Sequence, residues 1–187
     1  MMTPAEREAV LKSLTESRER LLRAVEGLSR EQLHFRPAPD RWTVAENLEH
    51  VAFVEGRILM MIQKTLSAGP TPEKRSAMEG RESMFFENVA ARTPRFQAPE
   101  VVQPCGRWPD DQLLHEFEAA RQRTREFAGS TEADLRTHFY PHPFFGDLDL
   151  YQWLLLIGAH CDRHRAQSEE VMASAGFPRS TQAGAVA

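Results

Sequence analysis

The run W-L-L-L-I-G-A-H-C-D-R-H-R-A-Q, residues 153–167, constrains the fold more than any other stretch of the chain. Residues 153–157 are apolar around most of a helix's circumference, so the helix they form must be surrounded by protein on nearly every side. A polar side chain that continues such a helix needs a partner. The run continues into His160 and His164. Four residues apart, the two imidazoles project from one helix face, where a single cation can be held by both. Two readings stay open at this point: core histidines satisfied by hydrogen bonds, or two ligands of a metal whose third ligand lies elsewhere.

Three further helices can be read from apolar residues recurring at three- and four-residue steps. The first spans about residues 4–26, with Thr3 and Glu6 forming a capping box and Pro4 at the first helical position. The second starts behind Thr43, whose capping partner is Glu46, and runs to about residue 66 with a stripe of Val44, Leu48, Val51, Ile58, Ile62 and Leu66. The third covers about residues 110–128, with Gly129 placed to end it. The helix carrying the histidines is capped by Asp149 and Gln152 and ends near residue 175, before Gly176 and Pro178. Residues 29–42 read as a loop or short helical turn, and residues 130–148 as a connection dense in aromatics and proline.

No run alternates as a strand would, so the expected fold is an all-α four-helix bundle formed by residues 1–176, with residues 177–187 as a disordered tail. Between the second and third helices lie about forty residues studded with prolines, too many for a tight turn. A connection of that length can run the full height of a bundle and set the third helix parallel to the second. A short helix within residues 73–89 is expected to cover one end of the core.

A chain of 187 residues, 41% apolar, suits one domain with a single sizeable core. Its net charge of −4 provides no basic footprint for nucleic acid. Neither a leader-like segment nor a run long enough for a membrane span is present, so a cytoplasmic location is expected. Cys105 and Cys161 are too few and too far apart for a disulfide framework or a CxxC clamp.

His50 stands about two turns into the second helix, with Glu46 one turn before it on the same face. At 1.5 Å of rise per residue, its depth permits convergence with the later pair without deciding the topology. Glu46 has three readings: capping residue, acceptor that orients an imidazole, or fourth ligand.

The stretches W-T-V-A-E-N-L-E-H (42–50), H-P-F-F-G-D-L-D-L-Y-Q-W (142–153) and H-C-D-R-H-R-A-Q (160–167) resemble the DinB family of metalloenzymes, a likeness that spans roughly residues 8–173. The resemblance implies a four-helix bundle with a long crossover between helices 2 and 3. It also implies a divalent metal, zinc or nickel, held by His50, His160 and His164. Some members of that family are transferases and isomerases that use low-molecular-weight thiols, which makes a thiol cosubstrate an expectation here. Bundles of this type often pair as homodimers.

Three neutral imidazoles leave a cation its full charge and at least one open position, at which water or a thiol would lose its proton near neutral pH. Thiol transfer and hydrolysis of a small molecule would both use it. The alternative is a non-catalytic bundle with a structural metal that binds a small molecule or a protein partner. Glu46 is the candidate general base, and Asp162 points off the ligand face. Phe85, Phe86, Tyr140 and Phe144, from the two aromatic-rich connections, are candidates to line an apolar pocket above the metal; otherwise they form a lid over the core.

Overall fold

The computed structural model describes residues 1–77, 79–80, 82–90 and 97–179. Four long helices carry the fold: α1 (Pro4–Val25), α3 (Val44–Ala68), α5 (Asp110–Ser130) and α6 (Leu150–Met172). The short helices α2 (Arg30–His34) and α4 (Glu82–Ala90), and one helical turn at Glu100–Val102, lie in the connections. Capping boxes close the N-termini of α1, α3 and α6 at Thr3/Glu6, Thr43/Glu46 and Asp149/Gln152, as the sequence indicates. Gly129 does not end its helix, because α5 continues through it to Ser130.

Cross-helix pairs define how the helices run. Arg20 pairs with Asp162 and the Cys161 thiol approaches the Ser17 carbonyl, so α1 and α6 ascend together. Arg18 meets Glu118 while Arg7 reaches the Ala128 carbonyl, which makes α5 antiparallel to α1. Leu113 and Phe117 pack among Val44 to Ala52, and Arg121 binds Glu55, so α5 runs parallel to α3. That is the arrangement a bundle-long crossover requires. Asn47 meets His164 and His50 meets His160, which makes α3 antiparallel to α6. Each of α1 and α3 packs on both α5 and α6, leaving α1 and α3 on one diagonal.

The core has two apolar regions. Val10, Leu14, Ile58, Ile62, Leu154 and Ile157 fill one, and Leu21, Val25, Leu48, Val51, Leu113 and Phe117 fill the other. Where they meet, the fully buried Arg121 guanidinium holds Glu55 at 2.9 Å and also donates to Ser17 Oγ and the Leu14 carbonyl. Each buried charge therefore has a charged or hydrogen-bonding partner. Gly158 lets α1 approach α6 closely: a Cβ there would fall inside contact distance of the Ser13 hydroxyl and 3.3 Å from the Ser13 carbonyl oxygen.

Two expectations need correction. A β-hairpin, β1 (Phe139–His142) and β2 (Gly146–Asp149), occupies the stretch expected to be an irregular connection. Pro141 argues against a strand, yet a two-stranded ribbon consists only of edges, where a missing N–H is tolerated. Gly146, at φ 73, supplies the left-handed residue that the short loop needs. The helix expected from residue 73 begins only at Glu82: before it the Lys74 and Glu79 amides close turns onto the Thr71 and Ser76 carbonyls, and the Ala77 N–H donates to the Asp147 carbonyl of β2.

Of the expected tail, residues 177–179 lie against α2, with Phe177 edge-on to Phe35 and the Pro178 carbonyl accepting from Gln32. Residues 180–187 lie outside the described residues. Among the described residues no helix is long and apolar enough to cross a membrane.

Candidate metal centre

His50 on α3 and His160 and His164 on α6 come together on the seam between the two helices. One ring nitrogen from each lies within 4.8 Å of the others. His50 Nε2 and His160 Nε2 are 3.2 Å apart, and the three ring centroids are 4.5–5.1 Å from one another. His50 and His164 are buried, whereas His160 is partly open to a cavity of about 760 Å³ that all three rings line.

The outer nitrogens of two rings are held by groups that determine where the proton sits. The Val102 carbonyl, which can only accept, lies 2.7 Å from His50 Nδ1, so Nδ1 is the donor and Nε2 carries the lone pair. Asn47 Oδ1 lies 2.9 Å from His164 Nδ1. The amide is oriented by its own Nδ2, which donates to the Thr43 carbonyl at 2.9 Å, so His164 Nδ1 donates as well. Two lone pairs thus face a common point beside His160. Such a donor set fits a divalent cation: nitrogens bound tetrahedrally at 2.0–2.1 Å sit roughly 3.4 Å apart, within reach of small ring shifts. Carbonyl and amide acceptors commonly stand behind ligating imidazoles and fix the orientation of their rings.

Burial dominates the electrostatics. It lowers His50 to a pKa of about 4, with the Arg107 charge adding to it and the Val102 hydrogen bond opposing it. Burial, then the neighbouring histidines and Arg163, holds His160 and His164 well below the usual histidine range. All three are neutral at physiological pH, the form that ligates. Trp42 stacks on His164 at 5.8 Å and tilts against His50 at 4.8 Å, which restrains both rings.

The crossover is tied to α3 by Glu49. Its buried carboxylate accepts from the Cys105 and Gly106 amides at 2.8 and 2.9 Å and pairs with Arg107, whose guanidinium also lies 3.9 Å over the Phe53 ring. This clamp lies just beyond Val102 and holds the carbonyl that orients His50. A glutamate beside the expected ligand gave no sign of it in the sequence, because its partners are backbone amides far along the chain. Asn47 was more legible: it is a polar residue on the buried face one turn before His50.

The other candidates divide. Glu46 lines the cavity, but one of its carboxylate oxygens accepts from the Thr43 amide and the other from Arg36 at 2.6 Å. Burial pushes its carboxyl up, yet the Arg36 and Thr43 hydrogen bonds outweigh this and hold it below the usual carboxylate range. That makes it a cap and ion-pair partner and a weak base. Asp162 is engaged by Arg20. Burial pushes the Cys161 thiol up to about 11, consistent with a core thiol.

Phe144 lines the cavity, but Tyr140 and Phe86 do not. The Tyr140 ring is exposed and edge-on to Trp153, while its carbonyl accepts from Trp153 Nε1. Phe86 packs against the first core region, and the Phe85 side chain lies outside the described residues. Sequence reasoning passed over Trp153, Phe145 and His142, which line the cavity beside Phe144.

A family model described as the DinB superfamily matches residues 13–168. The uncharacterized protein YuaE of Bacillus subtilis (strain 168) is 25% identical over 148 residues, covering 79% of this chain and 87% of YuaE. Among solved structures, YfiT from Bacillus subtilis, described as a probable metal-dependent hydrolase with an unusual four-helix bundle topology, superposes with a TM-score of 0.55. That match has 17% sequence identity and covers 92% of this chain and 89% of YfiT.

Proposed function

This chain belongs to the DinB superfamily, and from that premise we propose that it is a divalent-metal-dependent enzyme acting on a small molecule, with His50, His160 and His164 as the ligands. The observation that carries the reading is the cavity of about 760 Å³ opening directly onto the three neutral imidazoles. A closed structural site would instead complete its coordination with a fourth protein ligand. Among the described residues no further His, Cys, Asp or Glu joins the cluster.

When bound, the cation would supply a Lewis acid that acidifies a small nucleophile, water or a low-molecular-weight thiol, and polarises an electrophile beside it. The protein's own residues do the rest. The Val102 carbonyl and Asn47 amide hold the His50 and His164 rings so that each presents its Nε2. Val54, Ile58, Leu156 and the aromatic wall of Phe144, Phe145 and Trp153 take the apolar body of the substrate and exclude water around it. Hydrolysis and thiol S-transfer both fit this arrangement, with zinc or nickel as the cation. YfiT's description as a probable metal-dependent hydrolase supports the first.

Elemental analysis of protein purified without a metal-affinity tag should find about one zinc or nickel per chain, absent from His160→Ala. Ester hydrolysis and conjugation of low-molecular-weight thiols to electrophiles should then be compared on the loaded protein. Turnover that depends on both the metal and His160 supports an enzyme. Stoichiometric metal with no turnover, together with loss of the fold on chelation, would favour a structural metal.

A further inference from the structure

His142 is outside the triad but lines the same cavity. It closes the hairpin opposite Gly146. Phe145 stacks on its ring at 4.4 Å and 20°, and the Trp153 ring is tilted against it at 5.2 Å. The Phe144 amide donates to His142 Nδ1 at 3.2 Å. A backbone N–H can only donate, so in the neutral ring Nδ1 holds the lone pair and the proton sits on Nε2. Among the described residues no group accepts from that Nε2–H. With Nδ1 engaged and the ring packed between aromatics, the Nε2 edge is the part left to the cavity.

The position gives this donor a role distinct from metal binding. Trp153, its ring neighbour, precedes His160 by about two turns on α6, roughly 10 Å of helical rise. A ligand held at the three histidines and extending along the aromatic wall would reach His142 with its far end. We propose that His142 is a specificity-determining residue whose Nε2–H donates to a neutral oxygen acceptor, a carbonyl or ester oxygen, at the far end of a small apolar substrate.

A neutral acceptor is favoured over a carboxylate because the group facing it is a neutral imidazole framed by Phe145 and Trp153. An anion desolvated there would gain one hydrogen bond and no countercharge from that frame. A substrate lacking the acceptor would leave the donor without a partner, which is how a buried polar group discriminates between ligands of one shape. The proposal rests on the metal-dependent reading above, and its test separates the two.

The probes are benzohydroxamates, whose hydroxamate chelates a divalent cation, carrying acetyl, isopropyl or carboxylate at the meta or para position. With the zinc-loaded full-length protein, calorimetry should show the better acetyl isomer binding roughly fivefold tighter than its isopropyl counterpart, the effect of one net hydrogen bond. His142→Phe should bring that ratio to about one while leaving the isopropyl compound within roughly twofold of its original affinity. A ratio near one in the unmutated chain, a ratio that survives His142→Phe, or tightest binding by the carboxylate would overturn the proposal. Failure of unsubstituted benzohydroxamate to bind would overturn the metal-dependent reading first, and this one with it. Independently of any metal, 15N spectra of the metal-free protein at pH 7 should show the Nε2–H tautomer of His142; the Nδ1–H tautomer would also overturn it.

Discussion

Asn47 Oδ1 accepts a hydrogen bond from His164 Nδ1 across the seam between α3 and α6, at 2.9 Å. Because the Thr43 carbonyl pins the other end of the amide, Asn47 orients the ring as well as touching it. Asn47→Ala should weaken metal binding by roughly 10- to 100-fold, the usual effect of removing such a partner. Competition with a fluorescent zinc chelator would measure it. Unchanged affinity would mean that stacking by Trp42 alone sets the ring.

Stability of the metal-free protein should decline on the acid side of neutrality. Burial holds both His50 and His142 at a pKa of about 4, below the ordinary histidine value of 6.5. Well above pH 6.5 neither folded nor unfolded chain is protonated at these sites, and their contribution to stability is complete. As pH falls from about 6.5 to about 4, the unfolded chain takes up protons that the folded one refuses, so stability falls by at most ~1.4 kcal/mol per pH unit for each group. Urea midpoints between pH 8 and 4 would show this. His142→Phe should flatten the profile, and an unchanged profile in that variant would count against the buried, neutral ring.

Removal of the metal should leave the helices in place. The core is built from residues such as Leu14, Ile62, Phe117 and Leu154, none of which depends on the three histidines. Chelation or His160→Ala should therefore preserve the far-ultraviolet circular dichroism and lower the melting temperature only by the lost binding linkage. Collapse of the helical signal on chelation would mark the metal as structural.

The Arg121–Glu55 pair should be costly to break by halves. Glu55→Gln leaves a buried guanidinium without its carboxylate and should destabilise by about 3–5 kcal/mol. Replacing both partners, as Glu55→Leu with Arg121→Met, should recover a large part of that loss. Denaturant unfolding of the single and double variants tests the difference.

Gly158→Ala should cost about 1–3 kcal/mol, because the added methyl meets Ser13 on the facing helix. Combining it with Ser13→Ala removes the hydroxyl but not the carbonyl contact, so the rescue should be partial. Thermal melts of the three variants would resolve it.

The helices and their starting points were legible because what determines them is local. A capping box such as Thr43/Glu46 is completed within four residues, and a stripe such as Val44, Leu48 and Val51 follows from the pitch of one helix. The His160/His164 pair is legible for the same reason. His50 was weaker on its own: a lone histidine is more often structural or at the surface, its helix depth only permits it to meet the later pair, and the family likeness is what names it a ligand.

The hairpin was missed because Pro141 and Pro143 look like loop punctuation unless one knows that both strands are edges. Tyr140 and His142, two residues apart on β1, share a face of the strand and both rings meet Trp153, but Tyr140 stays exposed and His142 lines the cavity.

By itself, then, the sequence determined four long helices, three of them with capping boxes, a crossover long enough to lay α5 parallel to α3, and a histidine pair on one buried face. Tertiary structure alone decided that the Val102 carbonyl would meet His50 from 52 residues away, that Glu49 would clamp the segment just after it, and that His142 would join the cavity wall. The reason is physical. Periodicity and caps are encoded by side chains within a turn of one another, whereas a carbonyl is the same in every residue and gains its role only from where the folded chain carries it.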